Sequence, residues 1–327
     1  MPASYERINY NLRPAKHIER RMLGEAFGLL SEFDRLWSYR YIGFGSIYFS
    51  DHKFFHRVLG ISNMVSIEKD TQNSARFEFN RPYACIDIKF GESNTVLPNL
   101  SWAEPTILWL DYDGTLNGDV LLDVGCFCTR AIPGSVLIVS VNATGLNRSV
   151  LSDDADEDGT KQGQALDKLR KTVGEDRVPA STVARDLNGW GTAKVFRSII
   201  DNHINTILTE RNGGLVQGKK ICYQQLFNFH YADNAKMLTV GGIIYDQSQQ
   251  SLVDNCGFDR LTFVRKDESP YHIVSPLLTY REIRHLDRQL PGQPEDAVPT
   301  ADGVPEKDRN NYKEIYRYFP SFTDVDL

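Results

Sequence analysis

The first half of the chain alternates short, nearly continuous apolar runs with stretches whose apolar positions recur every three or four residues. The runs are Tyr39–Phe44, Met64–Glu68, Tyr83–Phe90, Thr106–Leu110 and Ser135–Val141. Short unbroken apolar runs suit strands covered on both faces, as in a parallel sheet. The intervening stretches predict helices. In His17–Phe33, Ile18, Met22, Ala26, Leu29, Leu30 and Phe33 fall at helical spacing. Arg13, Lys16, Arg20 and Arg21 give this helix a basic side, read as a solvated face, with a phosphate or carboxylate contact as the alternative. Ser50 is placed to cap a helix over Asp51–Leu59 that ends at Gly60. A helix over Asp70–Phe79 must stop before Pro82. Asp119–Arg130 predicts one more.

The second half is less even. Residues 142–190 carry little periodicity and include the acidic run SDDADEDG (Ser152–Gly159), read as a solvated loop. Ala193–Arg211 is strongly amphipathic and stops at Gly213-Gly214. Ile221–Tyr231 and Lys236–Tyr245 are β-rich and joined by a short polar turn, which predicts an antiparallel hairpin at the sheet edge. Phe258–Arg265 predicts a strand and Pro276–Gln289 a helix. Pro291–Lys307 is rich in Pro, Gly and acids and predicts a mobile loop, while the aromatic end is expected to dock back. The expected fold is α/β: a doubly wound, mostly parallel seven-stranded sheet with an antiparallel C-terminal hairpin and helices on both faces. The expected division is an N-terminal arm and helix (1–38), a Rossmann-like body (39–250) and a C-terminal extension (251–327).

Composition narrows the class. The 327 residues are 41% hydrophobic and 24% charged, enough apolar content for a full core. A net charge of −6 does not support nucleic-acid binding by bulk electrostatics. The five cysteines form no CxxC pair, and Cys126-Phe127-Cys128 has the wrong spacing for a zinc knuckle, so reduced thiols and no metal are expected. No apolar run approaches the ~20 residues of a membrane span. The first residues lack an apolar leader, so the expectation is a cytoplasmic protein with no membrane contact.

The candidate chemistry clusters at strand ends. Gly43-Phe44-Gly45-Ser46 turns the first strand into a helix, and glycines there let a ligand approach the backbone. Glu68 ends the next strand, about 25 residues after Gly43, where an acid can take hydrogen bonds from a ribose diol. Asp111 ends the fourth strand, in the crevice where open α/β sheets bind ligands. This order resembles the class I (Rossmann-like) S-adenosylmethionine-dependent methyltransferases over roughly residues 40–250. The resemblance implies S-adenosylmethionine as cofactor, held by Gly43, Phe44, Gly45, Ser46, Glu68, Gly91, Glu92, Ser93 and Asp111. It implies catalytic roles for Asp111, Tyr112 and Asp113, with Asp111 accepting a hydrogen bond from the acceptor and Tyr112 packing on it. The acceptor, through N or O, is open among a small molecule, a nucleotide and a protein side chain, and so is oligomerisation. The family usually has an acid where this chain has Tyr41, and a third glycine is missing after Gly45.

Two other readings stay open. ILWLDYDGTL also resembles the first motif of haloacid dehalogenase-like phosphohydrolases, which implies Asp111 as nucleophile, Asp113 as acid/base, magnesium beside them and Ser140 as the second motif. The other is a catalytically silent Rossmann-like interaction module. A metal-assisted methyl transfer would need Asn142 as a ligand near Asp111. His52 and His56, four apart, are read as surface residues, His230 as a structural histidine and Trp190 as a packed loop anchor.

Overall fold

The computed structural model describes residues 13–145, 160–292 and 297–320. Five strands run parallel: β1 (Arg40–Phe44), β2 (Asn63–Glu68), β3 (Ile86–Phe90), β4 (Thr106–Asp111) and β5 (Val136–Asn142). β6 (Ile221–Asp233) and β7 (Ala235–Asp246) form the antiparallel hairpin, with β7 inserted antiparallel beside β5. A short β8 (Tyr271–Ile273) adds to β6, so the sheet has eight strands where the sequence led us to expect seven. The order is β3-β2-β1-β4-β5-β7-β6-β8. The chain steps outward from β1 to β3, then returns to the other side of β1 as β4. That reversal opens a crevice between the carboxyl ends of β1 and β4.

Both faces of the central strands are dry, whereas Asp87 and Lys89 of the edge strand β3 are exposed. On β4, Ile107 and Trp109 enter one core and Leu108 and Leu110 the other. The first core is closed by helix α1 (Pro14–Gly28) through Ile18, Met22, Leu23 and Phe27, and by Phe55 of α2 (Ser50–Leu59). The second is closed by α5 (Gly118–Arg130), reached after α3 (Ser74–Asn80) and the short α4 (Ser93–Val96), and by α6 (Thr160–Val173) and α7 (Gly191–Arg211). Two-sided burial is why the strands read as continuous apolar runs.

Several boundaries depart from the sequence reading. The third strand starts at Ile86 rather than Tyr83, because Ala84 and Cys85 turn the chain. The segment around 142–190 is not simply irregular: α6 places Ala165, Leu169 and Val173, four apart, in the second core. The acidic run Ser152–Gly159 lies outside the described residues. Phe258–Arg265 is not a strand. Gly257, at φ 67°, ends the preceding helix, and Phe258–Arg260 is a single 3-10 turn whose aromatic is anchored in the core. The segment expected to be a loop up to Lys307 gives way to a helix at Glu306–Ile315, started after Pro305. The aromatic end docks on α1: Tyr318 donates to Glu25, and Arg21 donates to the Phe319 carbonyl at 3.1 Å.

Candidate active site

The crevice begins at the end of β1. An ideal Cβ on Gly45 would lie 2.2 Å from Ser66 Oγ and 2.9 Å from the Phe49 ring, so packing admits nothing larger than glycine there. Ser46 and Phe49, both at φ 47°, occupy the left-handed region, which bends the chain sharply into α2. Gly43 has a different role. It sits within the sheet, paired with Ser66 and Trp109, and a Cβ on it would meet the Tyr41 hydroxyl at 2.6 Å. It does not line the cavity.

The neighbouring strand ends supply acids. Glu68 Oε1 accepts from the Asp70 amide at 3.1 Å, and the Glu68 carbonyl accepts from the Gly91 amide at 3.0 Å. The turn after β3 is thereby tied to the tip of β2. Burial raises the Glu68 pKa above the usual carboxylate value. Phe44, Gly45, Ser46, Glu68, Gly91, Glu92, Ser93, Asp111, Tyr112 and Asp113 all line one cavity of about 670 Å³. That volume is in the range of small-molecule sites. The cavity's charged lining counts seven acids against two cations, Arg20 and Lys69.

Asp111 is held from behind. Lys16 of α1 donates to its Oδ1 at 2.6 Å, reaches Glu19 Oε2 at 2.8 Å and lies 4.4 Å from the centre of the Trp109 ring. Tyr231 completes the cluster by donating to Glu19 at 3.2 Å. Burial pushes the Asp111 carboxyl up to about 6, Lys16 opposes that rise, and Glu19 and Asp51 add to it. For Lys16 burial acts downward, yet Asp111 and Glu19 win and hold the ammonium well above its ordinary value. Tyr112 is fixed differently. Its hydroxyl donates to the buried Asp123 of α5, and its ring meets Phe44 edge-on at 5.0 Å. Burial and Asp123 together raise its pKa. Asp113 is exposed.

The basic side of α1 is therefore not a solvated face. Lys16 is 1% and Arg20 4% exposed, and both pair with carboxylates, Arg20 with Asp51 of α2. The available signal was their four-residue spacing, which puts both on one helix face. The carboxylate contact, the alternative expected for Lys16 and Arg20, is the one found, with Asp111 and Asp51 as the partners; the sequence assigned no partner role to Glu19 or Asp51. His52 is also buried rather than superficial: its Nε2 lies 3.0 Å from the Val65 carbonyl, and burial lowers its pKa. His56 is half-buried, with Nδ1 2.8 Å from the Ile61 carbonyl. His230 stacks on Trp190 at 4.7 Å, away from the cavity lining, and burial with neighbouring His272 pushes it down to about 4. Ser140 is a packing residue, accepting from Trp109 Nε1 at 3.0 Å and lying 2.7 Å from Thr239 Oγ1. Asn142 accepts from the Thr144 amide and does not line the cavity. Among the described residues, no helix is long and apolar enough to cross a membrane.

The sequence matches, over residues 8–327, the model of a family described as Putative O-methyltransferase. No curated protein matches it in sequence. The structure is similar to Trm1 from Pyrococcus horikoshii in complex with S-adenosyl-L-methionine, at 8% identity and a TM-score of 0.42. That likeness covers 75% of this chain and 58% of Trm1, so the chain spans less than two thirds of that protein. It is also similar to the O-methyltransferase TomG from Streptomyces achromogenes, solved with SAM, at 13% identity and a TM-score of 0.36, covering 68% of this chain and 79% of TomG.

Proposed function

The chain belongs to that O-methyltransferase family, and on this premise we propose that it binds S-adenosylmethionine in the crevice and moves its methyl group to an acceptor oxygen. The observation that carries the reading is convergence. The ends of β1, β2, β3 and β4, far apart in sequence, bring the glycine turn, Glu68, Glu92 and Asp111 into one cavity.

The residues present fit such a cofactor. An acid-rich lining favours a cationic ligand and disfavours a free phosphate. Glu68 is the acceptor for the ribose hydroxyls. Glu92 and Ser93 serve the base, with the Phe44 and Tyr112 rings as an apolar wall. Gly45 and Ser46 bring the β1 turn against the rest of the molecule. When bound, S-adenosylmethionine supplies an electrophilic methyl group on a sulfonium.

The chain's own part is orientation and proton handling. Asp111 accepts the hydrogen bond of the acceptor hydroxyl and takes up its proton. Lys16 is a positioning residue: its ammonium fixes the Asp111 carboxylate from the dry side. The segment before residue 39 thus contributes to the site, while residues 39–250 form the cofactor-binding body.

The phosphohydrolase reading lacks its supports. Asp111 ends the fourth strand in the chain rather than the first, and Ser140 is committed to Trp109 and Thr239. A direct test incubates the protein with a metabolite extract and trideuteriomethyl-labelled cofactor. Labelled methyl ethers or esters are expected. Labelled methylamines alone would overturn the oxygen assignment.

A further inference from the structure

The opening turn of α7 gathers positive charge that the proposed reaction does not use. Trp190 stands at the N-cap of this 21-residue helix, no side chain caps it, and its first turn contains no acid. The orphan amides and the positive end of the helix dipole therefore meet no negative charge from that turn. Lys194 lies in the first turns, and Lys236, at the start of β7, places Nζ 5.3 Å from the centre of the Trp190 ring. Among the described residues neither lysine is paired with a carboxylate. Acids close by in the chain are engaged elsewhere: Asp186 accepts from the Val183 amide at 3.0 Å and Asp233 from the Lys16 amide at 3.1 Å.

The side chains packed against this turn make an independent observation. His230 of β6 and His272 of β8 are register partners on adjacent parallel strands, with ring centres 5.3 Å apart. His230 stacks on Trp190 at 4.7 Å with the rings 14° from parallel. It is 1% exposed, yet neither of its ring nitrogens has a hydrogen-bond partner. The hydroxyl of buried Thr192, in the same first turn, is likewise without one. A histidine kept for packing alone normally satisfies a nitrogen, because a buried unpaired polar group costs stability. Burial, His272 and Lys194 all act to keep His230 uncharged.

We infer that the opening turn of α7, Lys194, Lys236 and the His230–His272 pair form an oxyanion-binding site that takes a carboxylate or a phosphate group. Free helix amides and lysine ammonium groups are the donors that such anions use. The site shares no residue with the lining of the acid-rich cavity. It therefore stands whether or not that cavity holds S-adenosylmethionine.

The test titrates inorganic phosphate and acetate separately into the full-length protein at about pH 6.5, with chloride at matched ionic strength as the reference. Histidine ring signals are followed by NMR. Saturable shifts confined to His230 and His272 are expected. The saturating anion should also raise the His230 pKa by about one unit or more, because it favours the imidazolium. Tighter binding of phosphate points to a phosphate-bearing ligand and tighter binding of acetate to a carboxylate-bearing one, and either supports the site. Lys194 is exposed and Lys236 half-buried, so Lys194→Gln and Lys236→Gln should leave the melting temperature unchanged. Each should weaken the tighter anion by about twofold to fivefold. Shifts no larger than those with chloride, shifts spread over all the histidines, or an unchanged response in the double variant would overturn the inference.

Discussion

Lys16 Nζ lies 2.6 Å from Asp111 Oδ1, with 1% of the lysine side chain exposed to solvent. The same ammonium lies 2.8 Å from Glu19 Oε2, so one buried cation balances two acids. Replacing Lys16 by Met leaves both carboxylates without their partner. Breaking a buried pair in this way costs about 3–5 kcal/mol. Urea denaturation at pH 8 should show a loss of that order for Lys16→Met, and a smaller loss when Asp111→Asn is added to it. Equal losses would mean that the two residues are not coupled.

With the role proposed for it, the Asp111 carboxyl, pushed up to about 6 by burial, should set the acid limb of the reaction. As a hydrogen-bond acceptor it works deprotonated, so its function is present above pH 6 and lost as pH falls through that value. Lys16 favours the charged form, so Lys16→Met should move the limb to higher pH. Carboxyl carbon shifts followed by NMR across pH 4–8 check both directions without knowledge of the acceptor.

The two glycines of the β1 turn should respond differently. Gly45 lines the cavity and a Cβ there meets Ser66 and Phe49, whereas Gly43 is internal to the sheet and meets Tyr41. Overpacking costs about 1–3 kcal/mol at either site. Gly45→Ala should also weaken S-adenosylhomocysteine binding by more than about tenfold, and Gly43→Ala by distinctly less. Melting curves and titrations of the two variants, side by side, make the comparison.

Tyr112→Phe keeps the ring against Phe44 and removes the hydroxyl donated to buried Asp123. The expected effect is a stability loss of about 1–3 kcal/mol with cofactor affinity retained within a few fold. A variant of normal stability that lost all methyl transfer would instead give the phenol a chemical role.

The parts of this site visible in the sequence are those set by local pattern. Gly45 and Glu68 sit at the ends of apolar runs, and chain order alone places such ends at one edge of a parallel sheet. The charged pairs were not visible, because each joins distant segments. Arg20 and Asp51 are 31 residues apart and Lys16 and Asp111 are 95 apart. On α1 the same lysine and arginine fit a wet surface equally well until something acidic packs against them. α6 shows another limit: Ala165, Leu169 and Val173 carry the helical spacing, but only three apolar anchors mark it. β8 spans Tyr271–Ile273, too short for any period to register.

In the proposed function, Glu68 and the turns around it hold an adenosine-bearing methyl donor. Calorimetric titration of S-adenosylhomocysteine into the wild type and Glu68→Ala tests it most directly. Single-site binding to the wild type is expected, with a loss of about tenfold or more in the variant, the worth of hydrogen bonds to a charged acceptor. No heat with the wild type, or equal affinity in the two proteins, would contradict it.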